Sequence, residues 1–252
     1  MQYLYRGLNA VADVILPPQS LLTRDRAVDG IESELWSQIN FLDEPCCQTC
    51  GFPFEYNVGD DILCGRCAVK APRLTHIRSA FQYDDTSRRL ILDFKHSGRT
   101  AGLSLFAVQL ARAGRAFLPE ADYLIPVPLH YRRRLHRRFN QSALLASSLE
   151  KHLKHSRDKS PAFDPDSLER YRMTETQAGK TAAGRHRNVR GAFRVRESAL
   201  ERVQGAHIVL IDDVMTTGAT FEACAKCLLK AGAARVDGLA LARVVKGAPL
   251  PT

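Results

Sequence analysis

Apolar and polar positions along the 252-residue chain fall into a small number of recurring units. The clearest lies at residues 208–220. There Ile208, Val209, Leu210 and Ile211 form an unbroken apolar run that leads into Asp212 and Asp213 and then into Met-Thr-Thr-Gly-Ala-Thr. A strand buried on both faces is continuous in its apolar residues rather than alternating, so the run predicts a central parallel strand. Residues 221–231 follow with helical spacing. The same order of apolar run, polar loop and helix recurs at 123–128, 129–141 and 142–153. Residues 79–83, 191–195 and 236–242 predict further strands, and 87–95 and 103–113 predict helices. Strands alternating with helices in this way predict an α/β unit with a mostly parallel sheet flanked by helices.

Outside that unit the pattern changes. Leu8, Val11, Ala12 and Ile15 lie near helical spacing until Pro17 and Pro18 stop it, and residues 31–39, around Trp36, offer a second amphipathic stretch. Both predict packing helices. Residues 155–166 mix Lys, Ser, Asp and Pro as exposed loops do. Residues 168–190 form a long, basic, polar segment of the kind that closes over a ligand.

The cysteines add a second kind of structure. Seven occur, an odd number bunched in pairs, which favours metal ligands in a reducing compartment over disulfides. Cys47-Gln-Thr-Cys50 and Cys64-Gly-Arg-Cys67 are separated by thirteen residues, a spacing that lets four thiolates surround one zinc ion. The set Cys47, Cys50, Cys64 and Cys67 keeps both spacings equal; Cys46 is the alternative to Cys47, one residue further from Cys50. Four protein ligands leave no open position, so the expected zinc is structural. Cys224 and Cys227, three apart on a predicted helix, share one face and read as packing residues.

Charge narrows the partners. A formal net charge of +9 and a pI near 9.4 favour phosphorylated substrates or nucleic acid. No apolar run reaches the length of a membrane-spanning helix. Residues 1–14 lack the pattern of a signal peptide, so no membrane insertion and a cytoplasmic chain are the expectation.

Ligands of open α/β sheets bind beyond the carboxyl ends of the strands, where Asp212, Asp213 and the 216–220 turn lie. Successive backbone N–H groups entering a helix cradle an anion, and threonine hydroxyls add donors. Adjacent carboxylates at a sheet end call for a polyol, a metal or a base. Phosphate in the turn and hydroxyls on the acids together describe a ribose 5-phosphate. The string of apolar residues, two acids and T-T-G-x-T resembles the phosphoribosyl-pyrophosphate (PRPP) signature of type I phosphoribosyltransferases. By that resemblance Asp212 and Asp213 hold the ribose hydroxyls, while Thr216, Thr217, Gly218, Ala219 and Thr220 wrap the 5-phosphate.

Further motifs occur in a telling order: the Cys-x-x-Cys pairs, I-P-V-P before a basic loop and F-N-Q, R-x-R-x-T-x-x-Q, R-x-x-N-V-x-G-A-F, and D-D-V-x-T-T-G-A-T. Together they resemble the ComF family of competence-associated proteins, over the chain from about residue 45 onward. That resemblance implies a type I phosphoribosyltransferase-like fold preceded by a zinc ribbon, divided into an N-terminal helical segment (1–44), the ribbon (45–75) and the phosphoribosyltransferase-like domain (76–252). It also implies a pyrophosphate loop with Pro128, Leu129, Arg138, Asn140 and Gln141, and a mobile loop with Arg172, Thr174, Gln177, Arg185 and Asn188. Arg138 stands where the resemblance implies a glycine. Ser20, Thr23, Glu32 and Leu35 replace a further pair of knuckles, so one zinc is expected. The implied function is PRPP binding with Mg²⁺, with or without phosphoribosyl transfer, in a protein linked to DNA uptake. The alternative is a zinc-ribbon protein that binds single-stranded nucleic acid and takes PRPP without catalysis; Arg132, Arg133, Arg134, His136, Arg137 and Arg138 beside Tyr131 and Phe139 supply charge and stacking surface for it.

Overall fold

The computed structural model describes residues 36–56, 59, 61–96, 102–129, 140–156, 159–171 and 191–245. Among these residues seven strands occur: β1 (Ile77–Gln82), β2 (Tyr123–Pro126), β3 (Ala162–Phe163), β4 (Leu168–Arg170), β5 (Phe193–Val195), β6 (His207–Met215) and β7 (Arg235–Arg243). The helices are α1 (Gly65–Val69), α2 (Asp85–His96), α3 (Leu103–Ala113), α4 (Gln141–Ser156), α5 (Leu200–Val203) and α6 (Ala219–Lys230). Five strands form one sheet in the order β1-β7-β6-β2-β3, with every neighbouring pair parallel. β4 and β5 make a separate antiparallel pair.

The central strand explains the layering. Val209 and Ile211 of β6 pack with Phe94, Phe106, Leu110, Leu145 and Leu149 from α2, α3 and α4. Ile208 and Leu210 pack with Phe221, Cys224 and Leu228 of α6. Alternate side chains of a strand point to opposite faces, and here both faces are covered, so all four positions must be apolar. Each such side chain contributes roughly 1.5–3 kcal/mol on burial.

Helix α3 spans the residues its apolar spacing predicts. Elsewhere the bounds shift: β2 and β5 are shorter than the runs expected at 123–128 and 191–195, and other elements run longer than their apolar residues. β1 starts two residues before the predicted strand, and β6 continues through both acids because Asp212, Val214 and Met215 stay in register with Ala240, Ala242 and Arg243 of β7. In the stretch expected to be loop, α4 reaches Ser156 and Ala162–Phe163 pairs with β2. The first residues of the expected mobile segment are β4. Residues 4–15, 31–35 and 172–190 lie outside the described residues.

At the amino-terminal side of the sheet, Asp237 of β7 is fully buried. One carboxylate oxygen lies 2.7 Å from His207 Nε2, and the other accepts the His76 backbone N–H at 2.7 Å. Arg235 pairs with it at 2.9 Å. Burial pushes this carboxyl up, but the hydrogen bonds from His207 and His76 and the Arg235 charge outweigh it and hold the group well below the usual carboxylate range. A depressed folded-state pKa contributes stability above the unfolded value, and that contribution is lost as pH falls through the folded value. Asp237→Ala is therefore expected to lower the unfolding free energy by about 3 kcal/mol at neutral pH. In urea denaturation the deficit should persist down to about pH 4 and shrink below it.

Candidate functional site

At the carboxyl end of β6 the chain passes from Asp212 and Asp213 through a short turn into α6. Gly218 makes that turn with φ 76° and ψ 2°, a left-handed conformation that glycine adopts without steric cost. It is the N-cap of α6 and offers no side-chain cap. Among the described residues no protein acceptor meets the backbone N–H groups of Thr216, Thr217 or Gly218. The turn therefore presents donors at the positive end of a helix dipole, an arrangement that suits an anion.

Asp212 is held by its surroundings. Its Oδ1 accepts from Ser142 Oγ at 3.1 Å and from the Asp213 backbone N–H at 2.9 Å. Ser142 stands in the first turn of α4, and Asn140 caps that helix by accepting the Ser142 N–H at 3.2 Å. Asn140 Nδ2 also donates to the Val127 carbonyl at 3.2 Å, tying α4 to the chain leaving β2.

These elements enclose a cavity of about 210 Å³. Asp212, Asp213, Thr216, Gly218, Ala219 and Thr220 line one side, and Pro128, Leu129 and Gln141 another. Its volume lies below the roughly 300–1,000 Å³ of drug-sized pockets, so it suits a compact polar ligand. Two groups of residues far apart in sequence thus share one site. Asn140 acts as a helix cap rather than a wall, and Thr217 faces elsewhere. Arg138, Arg172, Thr174, Gln177, Arg185 and Asn188 lie outside the described residues. Ser142 and Arg170 also line the cavity. Arg170 lies over the Phe193 ring at 5.4 Å, in the β4–β5 pair. Arg170 opens the R-x-R-x-T-x-x-Q motif, which the resemblance gives to the mobile loop; Ser142 does not stand out by periodicity, and a hydroxyl opening the helix after I-P-V-P is its one local signal.

The second site is the cysteine cluster. The sulfurs of Cys47, Cys50, Cys64 and Cys67 all lie within 4.8 Å of one another, and Cys50 and Cys64 are 3.7 Å apart. Tetrahedral zinc with bonds of about 2.3 Å separates its sulfurs by roughly 3.8 Å, so the four fit that ion. Cys46 is outside the group. Burial pushes the Cys47 thiol up, yet hydrogen bonds from the Cys50 and Cys64 backbone bring it down to about 7. Burial and the neighbouring thiols push Cys67 up. A divalent cation would relieve that mutual repulsion.

The cluster is fastened to the sheet. The Ile77 N–H donates to the Thr49 carbonyl at 2.7 Å, Arg78 to Gln48 at 2.9 Å and Arg243 to Cys50 at 2.5 Å. Gly51, with φ 64°, is required here because a Cβ would lie 2.5 Å from the Ile77 oxygen. A larger cavity, about 700 Å³, opens between this segment and α6, with Arg66, Lys70, Arg73, Lys226, Lys230 and Arg243 in its walls. Cys224 is fully buried and Cys227 donates its thiol to the Phe193 carbonyl at 3.1 Å, so both pack α6. Among the described residues no helix is long and apolar enough to cross a membrane.

Residues 141–248 match the family described as phosphoribosyl transferase domain. The chain is 36% identical over 205 residues to the DNA utilization protein YhgH of Salmonella typhi, covering 79% of this chain and 84% of that protein. It is 32% identical over 224 residues to competence protein F of Haemophilus influenzae, covering 86% and 92%. With competence protein ComFC of Bacillus subtilis it shares 28% identity over 205 residues, covering 78% and 77%.

Cysteine substitutions separate the two candidate ligand sets. Cys46→Ser is expected to keep the zinc content of the wild-type chain, measured by elemental analysis, whereas Cys47→Ser should lose most of it and lower the thermal midpoint. Equal loss in both would contradict the placement.

Proposed function

The chain belongs to the ComF family, and on that footing we propose that it binds PRPP in the small cavity at the carboxyl end of β6. The observation that carries this is the convergence, around about 210 Å³, of two acids, a donor-rich turn, Ser142 and Arg170. Asp212 and Asp213 accept from the ribose hydroxyls, with Ser142 holding Asp212 in place. The N–H groups of the 216–220 turn and the hydroxyls of Thr216 and Thr220 donate to the 5-phosphate. Arg170, with Arg138 and the loop after Pro128, meets the pyrophosphate, and Arg172, Thr174, Gln177, Arg185 and Asn188 close over it.

Transfer, where an acceptor is present, breaks the C1–oxygen bond to pyrophosphate as the acceptor bonds to C1, through an oxocarbenium-like state. Such a step depends on positioning, exclusion of water and stabilisation of the departing charge more than on one general base. Mg²⁺ would be held by ligand oxygens and waters with Asp212 and Asp213 at hand, and would neutralise charge on the pyrophosphate. Zinc at the four cysteines has a structural role in a ribbon over residues 45–75 ahead of the phosphoribosyltransferase-like domain at 76–252.

The names of the relatives, DNA utilization and competence proteins, support a role in DNA uptake or handling. A second reading adds single-stranded nucleic acid as a partner. Its support is the larger cavity, whose six cationic side chains face one acid, Glu222.

One preparation tests both. In calorimetric titration, PRPP with Mg²⁺ is expected to bind the wild-type chain, and Asp212→Asn/Asp213→Asn to weaken it about a hundredfold. Single-stranded DNA, followed by fluorescence anisotropy at two salt concentrations, is expected to bind both proteins alike with a steep salt dependence. Absence of PRPP binding by the wild-type chain removes the first reading, and negligible DNA binding at low salt removes the second.

A further inference from the structure

One peptide of the phosphate turn is held from outside the turn. Arg66 lies between Cys64 and Cys67 in α1, and its Nη2 donates to the Thr217 carbonyl oxygen at 2.6 Å. A trans peptide points its C=O and N–H in opposite directions. Drawing the Thr217 oxygen toward the cysteine segment therefore turns the Gly218 N–H to the opposite side, that of the small cavity. The cavity walls agree: Thr217 borders only the larger cavity, whereas Gly218 borders both.

Little within the turn itself fixes that orientation. Glycine takes positive and negative φ about as readily, so the Thr217–Gly218 peptide can rotate at small conformational cost. Rotated by half a turn, it would aim a carbonyl oxygen, rather than an N–H, at the small cavity, and an anion there would be repelled. The orientation of a single peptide thus decides whether this turn attracts or rejects a phosphate.

We propose that Arg66 is a positioning residue of the phosphate site, locking the Thr217–Gly218 peptide so that the Gly218 N–H faces the ligand. This rests on the reading of residues 216–220 as the phosphate turn. A guanidinium is suited to the task because hydrogen bonds to an ionised donor are about twice as strong as neutral ones. The same segment takes a second grip on the element that the turn leads into: the Arg73 N–H donates to Glu222 Oε2 at 3.0 Å, and the Arg73 guanidinium pairs with Glu222 Oε1. Glu222 lies in the first turn of α6. Because Cys64 and Cys67 flank Arg66, metal at the cluster would fix the backbone from which the arginine reaches.

The test compares wild type, Arg66→Met and Arg66→Lys. Arg66 is an exposed residue, and methionine retains the apolar stem. Calorimetric titration with PRPP and Mg²⁺ should show about tenfold weaker binding for Arg66→Met, the loss of one charge-assisted hydrogen bond. Zinc content and thermal midpoint should match the wild type. The Gly218 amide signal in nitrogen–proton correlation spectra should move or broaden in Arg66→Met and return toward its wild-type position in Arg66→Lys, which restores a charged donor. Wild-type affinity in Arg66→Met overturns the proposal while leaving the phosphate turn intact. So does weaker binding accompanied by loss of zinc, which would place the effect in folding of the cysteine segment. Absence of PRPP binding by the wild-type chain overturns the phosphate turn and this proposal together.

Discussion

Burial of β6 on both faces is the constraint from which the rest of the molecule follows. With β2 and β7 alongside and helices above and below, Ile208 to Ile211 can carry no polar group. Chemistry can enter only at the ends of the strand. At the amino-terminal side Asp237 is fully enclosed and engaged by His207, His76 and Arg235, a closed network with a structural role. At the carboxyl end Asp212 and Asp213 are only half-buried and border a cavity. The same residue type serves stability at one end and offers a ligand site at the other because solvent reaches only the second.

The sheet and the acid-and-turn motif were legible because their signals are local. A continuous apolar run, helical spacing over 103–113 and a glycine in a threonine-rich turn each follow from neighbours in sequence. The misses share a physical cause. β3 has two residues, too few for a period to show, and it exists because its backbone pairs with β2. β6 runs past its apolar residues because hydrogen-bond register, not side-chain polarity, ends a strand. Ser142 enters the cavity through the placement of α4, which no sequence window contains, whereas Arg170, the first residue of the R-x-R-x-T-x-x-Q motif, comes to its wall with β4. The choice between Cys46 and Cys47 rested on equal spacing alone, and the positions of the four sulfurs now give it a geometric basis.

The cysteine segment is more than an appended module. Carbonyls of Gln48, Thr49 and Cys50 accept from β1 and β7, and Arg66 reaches the Thr217 carbonyl, so the segment touches the edge of the sheet and the turn at its centre. Gly51 permits the close approach. Between these contacts lies the larger basic cavity, sharing Met215, Thr216, Gly218 and Ala219 with the smaller one. The two cavities therefore have this turn as a common wall.

The claim on which the function stands is that backbone donors of the 216–220 turn form the anion site. Amide nitrogen–proton correlation spectra of the wild-type chain, titrated with ribose 5-phosphate, address it directly, since this ligand carries the ribose and the phosphate without the pyrophosphate. The largest shifts are expected at the amides of Thr216, Gly218, Ala219 and Thr220, with Asp212 and Asp213 moving in parallel. Shifts centred instead on Arg66, Lys226 and Lys230, or none at saturating ligand, would contradict it.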